Sequence, residues 1–172
     1  MNQRSYIGLA VIAVVVLVSG SSAQVSGDGS ASVNIAAALS LTENTAMNWG
    51  SVARPTNGTT DYTLNYATGA VTLTSTTSTV FPGFAWNNGA AGAWTLSGEV
   101  STAVTFSISI GAFTGTGVSV IASHINGTSN SGTGTLSGGG TLALATGGII
   151  RVTATAGLGS HTSVVTVTAN YQ

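Results

Sequence analysis

The sequence predicts an all-β protein, an antiparallel β-sandwich, on three observations. Apolar residues recur at every second position wherever a period can be measured, as in Val104, Phe106, Ile108 and Ile110. β-branched Thr, Val and Ile are spread throughout, and no helical apolar stripe follows residue 23. Turn-forming clusters (RPTNGT, WNNGAAGA, NGTSNSGTG and SGGG) cut the alternating stretches into strand-sized pieces and read as loops and strand ends. Short strands with one apolar face each bury that face by packing two sheets together.

The elements follow in chain order. Residues 1–23 read as a cleaved secretory signal peptide: a charge at Arg4, an apolar run from Tyr6 to Val18, then small Ser21 and Ala23. The run is about thirteen residues, where a spanning helix needs roughly twenty. The mature chain is expected to start near Gln24 and to be secreted, at the bacterial cell surface by way of the periplasm. Residues 24–172 form one domain, with 24–41 as leader and first strand. Ser32 to Leu41 alternates strictly, with Val33, Ile35, Ala37, Leu39 and Leu41 on one face. Tyr62, Leu64 and Tyr66 run into the turn ATGA, and Val71 and Leu73 continue beyond it, which predicts a hairpin. Val104 to Ile110 is the strongest central strand. Val165, Val167, Ala169 and Tyr171 then alternate to the end of the sequence.

Composition excludes several classes of function. The 172 residues include no cysteine, so thiolate zinc sites, iron-sulfur clusters and thiol catalysis are ruled out. After residue 23 the charges are Asp28, Glu43, Asp61 and Glu99 against Arg54 and Arg151. That is too few cations for nucleic acid or an anionic membrane. A surface of Thr, Ser, Asn and Gly suits a chain that is assembled or immobilised, since near-neutral surfaces promote association. His124 and His161 are far apart in sequence, and neither G-x-S-x-G nor a strand-borne G-x-G-x-x-G occurs. No catalytic, cofactor or metal site is expected. With so few titrating groups, stability is expected to be nearly flat between about pH 4 and 9.

Other residues admit two readings each. FPGFAW, residues 81–86, is either a sugar-stacking platform for a surface carbohydrate or ordinary aromatic packing. Asn57 and Asn126 head N-x-T sequons, and His161 reads as a solvated turn residue before the last strand.

The carboxyl-terminal stretch resembles that of pilus subunits assembled by the chaperone/usher route. Gly159 matches the signature glycine, Tyr171 the penultimate aromatic, and Val165, Val167 and Ala169 the alternating zipper. The resemblance implies a pilin-like, immunoglobulin-like sandwich, a periplasmic chaperone, an outer-membrane usher and a homopolymeric fimbria. Val33, Ile35, Ala37, Leu39 and Leu41 would then be a strand donated to the neighbouring subunit. The alternation lacks the glycine usual in such donors, and the cysteine pair common in those subunits is absent. The chain also looks like a family of secreted bacterial domains of unknown function, number four thousand four hundred and two. Met47-Asn48-Trp49-Gly50, Trp94-Thr95-Leu96-Ser97-Gly98, Gly147-Gly148-Ile149-Ile150-Arg151-Val152 and Gly159 to Tyr171 carry that likeness, with His161 in place of a tyrosine. It likewise resembles spore-coat-type pilins in its V-x-V-x-Y ending. In such a domain Val33 to Leu41 would simply be the first strand of a complete sandwich. The function expected is a structural filament or matrix subunit, the alternative a monomeric adhesion or carbohydrate-binding module.

Overall fold

The computed structural model describes residue 30, residues 32–77 and residues 88–172. The signal segment and the FPGFAW platform lie outside the described residues. The chain divides into two units, residues 1–34 and residues 35–172, and the second carries every strand below.

Ten strands occur among the described residues, all paired antiparallel, and no helix is found there. They are β1 Ser40–Thr45, β2 Thr59–Leu64, β3 Val71–Thr76, β4 Gly92–Ser97 and β5 Ala103–Ile110. The remainder are β6 Val118–Ile125, β7 Thr128–Ser129, β8 Ser131–Thr135, β9 Thr141–Thr153 and β10 Val165–Tyr171. One sheet holds seven strands in the path β1-β4-β9-β2-β3, with β6 on β9 and β7 on β6. The other holds three, in the order β10-β5-β8.

β9 organises the larger sheet. Its first half pairs with β4, its second half pairs with both β2 and β6, and the inward positions keep one parity throughout. Two cores therefore lie end to end along a single strand. Leu144 joins Leu96, Val104, Phe106, Ile108, Ile125, Leu136 and Val167 in the first core, between the two sheets. Ile150 and Val152 join Trp49, Tyr62, Leu64, Val71 and Ala156 in the second. Tyr62 is fully buried, and its hydroxyl donates to the carbonyl of Ala53 at 2.8 Å, which satisfies the one polar atom it brings inside. Between the cores, Gly147 and Gly148 let β9 pass close to its neighbours. A Cβ on Gly148 would lie 2.5 Å from the carbonyl oxygen of Ala122.

The expected hairpin is present as β2–β3. Asn65 Oδ1 accepts the amides of Ala67 and Thr68, the Asx geometry that fixes the turn. The expected central strand is β5, flanked on both sides in its sheet. Two expectations are corrected. NGTSNSGTG is not a loop, because Asn126 and Gly127, with φ of 47° and 82°, make a two-residue primed turn between β6 and β7. Residues 131–135 are strand β8, whose Gly132 and Gly134 give the ring of Phe106 its space: a Cβ on Gly132 would sit 2.7 Å from it. The predicted strand Ser32–Leu41 is also displaced, since the strand runs from Ser40 to Thr45 and residues 32–39 lie outside any strand. The reason is the partner. Ser40 pairs with Ser97, the last residue of β4, whose chain then turns as the Gly98 amide bonds Gly140. No ladder continues for residues 32–39 to join.

Candidate functional site

The residues singled out at the two ends of the sequence meet at one pole. Tyr171 donates its hydroxyl to the carbonyl of Ala37 at 2.6 Å and accepts the Glu99 amide at 2.6 Å. Glu99 Oε2 accepts the Ala37 amide at 3.0 Å. The aromatic ring thus ends the inward row Val165, Val167, Ala169, Tyr171, and its polar tip pins the leader. Leu39 and Leu41 pack against the first core, whereas Ile35 and Val33 are each 83% exposed and Ala37 is exposed. β10 pairs on one side only, with β5, so its outer row of backbone groups is an open edge among the described residues. β1 is likewise an edge, held by β4.

The opposite pole carries a cleft of about 900 Å³. Ile110 and Val165, which pair across β5 and β10, lie on its wall. Tyr171 is six residues further along β10, about 20 Å away at strand rise. Trp49 and Phe113 meet edge to face there, with ring centroids 5.9 Å apart, and Met47, Ile150 and Val152 complete an apolar lining. The Trp49 indole N–H is buried and has no protein partner. Two basic side chains stand at this pole. Arg54 donates Nη1 to the carbonyl of Ala156 at 3.1 Å. His161 places Nδ1 2.7 Å from the Thr114 carbonyl and Nε2 2.9 Å from the Gly157 carbonyl.

His161 is a partly exposed residue of the turn before β10 with both ring nitrogens bonded to the backbone. Both partners are carbonyl oxygens, which only accept, so satisfying both requires a proton on each ring nitrogen. The Gly157 carbonyl first, and that of Thr114 second, raise its pKa above the ordinary histidine value. Asp61 is moved the other way. It sits opposite Arg151 in the β2–β9 ladder and accepts Nε and Nη2 at 2.7 and 2.8 Å, a bidentate pair that lowers its pKa.

The signs differ, which adds a flank on each side to the nearly flat pH profile expected from composition. His161 has a folded pKa above its unfolded one, so its contribution is complete below about pH 6.5 and is lost as pH rises through the folded value. Asp61 has a depressed folded pKa, so its contribution is present above about pH 4 and is lost as pH falls through the folded value. Melting midpoints are expected to decline on both flanks, with His161→Gln removing the alkaline decline alone. An alkaline decline that survives in that variant would overturn the assignment.

Other singled-out residues fall elsewhere. Gly159 lies on the cleft's rim with φ of 111° and open space where a Cβ would be, before β10 begins. Asn57 is an exposed loop residue. The Asn126 carboxamide accepts the Ala145 amide at 2.7 Å and donates to the Ala143 carbonyl at 3.3 Å, so it is engaged in bracing β9. His124 lies in β6, and no group of three or more potential metal ligands occurs among the described residues. The cleft was not read from the sequence, because it is assembled from three distant loops: Trp49 and Arg54 from that between β1 and β2, Phe113 from that between β5 and β6, and His161 from that between β9 and β10. The signals present were an apolar Trp49-Gly50 pair outside any alternating stretch and a histidine among small residues. No protein-family model, curated protein or solved structure matches the chain.

Proposed function

We propose that this protein is a secreted, extracellular structural subunit of a filament or surface matrix, with a pilin-like, immunoglobulin-like sandwich, that associates by β-strand complementation. The observation that carries the reading is the outer edge of β10, open among the described residues, together with the exposed Ile35 of the leader. A bare edge offers unpaired amides and carbonyls to a second chain, and alternating apolar residues supply both ladder and core contacts. Low charge supports it, because few repulsive terms oppose close approach. A head-to-tail contact that does not close a ring extends into a filament. A periplasmic chaperone that holds β10 before assembly, and an outer-membrane usher, fit the same logic.

The leader's placement selects the test. Leu39 packs against its own subunit's core, so a charge there damages the donor itself, whereas Ile35 is exposed and free of that ambiguity. Ile35→Asp is expected to melt like wild type yet to lose polymers seen by negative-stain microscopy and light scattering, since an aspartate buried in a neighbour's groove costs several kcal/mol. Val167→Asp is expected to unfold the subunit instead. Wild-type protein that stays monodisperse at every concentration, or polymers that persist with Ile35→Asp, would falsify strand donation by the leader.

A second reading, adhesion to a surface carbohydrate, draws support from the outer face of the three-stranded sheet. Thr105, Ser107, Ser131, Thr133, Thr168 and Asn170 surround a shallow basin of about 300 Å³ there. Uncharged hydroxyls and an amide suit a polyhydroxylated ligand. Retention of wild-type protein on polysaccharide-coated beads, abolished by Thr133→Val with Thr168→Val, would favour this reading.

A further inference from the structure

We propose that the Trp49–Phe113 cleft binds an amphipathic organic anion, with a carboxylate or phosphate head at Arg54 and an apolar body against Trp49, Phe113, Ile150 and Val152. The site lies at the other pole from the strand edges, and the inference does not depend on assembly.

The cleft has the size of a small-molecule site and one apolar side. About 900 Å³ falls within the range that holds compact ligands, and its lining is mixed, with the apolar Trp49, Phe113, Ile150 and Val152 beside polar residues such as Asn48, Ser51 and Thr162. Charge then selects the ligand. Among the described residues no aspartate or glutamate lines the cleft, while Arg54 and His161 both do. The single ion pair among the described residues is Arg151 with Asp61, so no carboxylate there neutralises Arg54. Arg54 Nη1 is engaged by the Ala156 carbonyl, an anchor that aligns the guanidinium and leaves its other N–H groups to a head group. Both nitrogens of His161 are spent on carbonyls, so it adds positive field rather than a direct bond.

The rim also points to an occupant. Leu158, 82% exposed on the rim, is a large apolar side chain that an apolar tail leaving the cleft would cover. A cationic amphiphile meets the like charge of Arg54, and a neutral alcohol lacks the charged head that Arg54 can bind.

Isothermal titration of the purified chain tests this with four probes kept below their micelle-forming concentrations: decanoate, decyl phosphate, decanol and decyltrimethylammonium. At least one anion is expected to bind at least tenfold more tightly than decanol, and the cation not at all. Whichever anion binds more tightly names the head group. Arg54→Gln is expected to weaken anion binding about tenfold, equivalent to about 1.4 kcal/mol. Leu158→Asp changes an exposed residue, so it keeps the fold while setting a carboxylate at the mouth, and it is expected to weaken the anions further. Both variants are first shown to melt like wild type. Equal affinity for the anions and the cation, no binding of either anion, or unchanged affinity in both variants overturns the proposal. Polymer assembly read separately by light scattering reports on the other pole, so failure of either reading leaves the other standing.

Discussion

Replacing Gly147 by valine is expected to leave no cooperatively folding protein. Gly147 sits where β9 passes from its partner β4 to its partner β2, with β6 along its other edge. Even a Cβ there would run into the carbonyl oxygen of Leu64 and lie 2.8 Å from the amide nitrogen of Tyr66. Those obstacles are backbone atoms, so no rotamer change relieves the overlap. Leu64 is fully buried, and pushing its strand outward opens the second core as well. Overpacking against yielding side chains costs about 1–3 kcal/mol, and a rigid backbone on one side with β6 on the other places this case at or above that range. Gly138→Val is the matched control, because nothing lies within 4 Å of a Cβ there and its φ is not in the left-handed region. Circular dichroism melts decide it. If Gly147→Val melts within a few degrees of wild type, the crossing is looser than described and β9 does not need its glycine pair.

How much of this was legible in the sequence depends on whether one strand's pattern was enough. Period-two alternation located β5, β10 and the β2–β3 hairpin, most cleanly at β5, where Val104, Phe106 and Ile108 are buried between less buried neighbours. The same rule misplaced the first strand. Val33 to Leu41 alternates well, but a strand also needs a partner ladder, and β4 ends at Ser97 opposite Ser40. A donor or an edge strand can show the same alternation, so the pattern is silent on where pairing starts.

β8 was missed for a related reason. Glycines in SGTGT look like loop residues until Phe106 of the adjacent strand is placed over them. The Asn-Gly turn at 126–127 did carry a strong local signal, positive φ at two successive residues, yet its single-turn meaning was diluted by the glycines that follow. In β6 the register shifts between Val120 and Ala122, so Val120 and Ile125 pair with inward positions of β9 although they differ in parity, and Ile121 is left 45% exposed. No one-strand pattern reveals such a bulge. The two poles are the least legible of all. Tyr171 was singled out for its position from the end, while the bonds that define its role, to Ala37 and Glu99, span most of the chain. Asp61 and Arg151 likewise read as scattered charges until β2 and β9 set them face to face.

Phe106→Ala is expected to cost about 3–5 kcal/mol, the range for removing a buried phenyl ring, and to loosen one part of the fold before the rest. The ring is 4% exposed in the first core, in a row where Ala169 stands on one neighbouring strand and Gly132 on the other. The small flanking residues exist because the ring covers them, so its removal leaves a void that neither can fill. β8 suffers first. It is a strand of five residues whose only ladder among the described residues is to β5, and Gly132 and Gly134 bring no side chains of their own to hold it. Hydrogen exchange is expected to show amides 131–135 losing protection while those of the β2–β3 hairpin, which packs in the second core, keep theirs. Phe106→Leu keeps most of the volume and is expected to lose less than half as much. Uniform loss of protection in both cores would mean that they open as one cooperative unit and that β8 does not owe its place to Phe106. An alanine variant as stable as the leucine one would mean that the first core closes over the void.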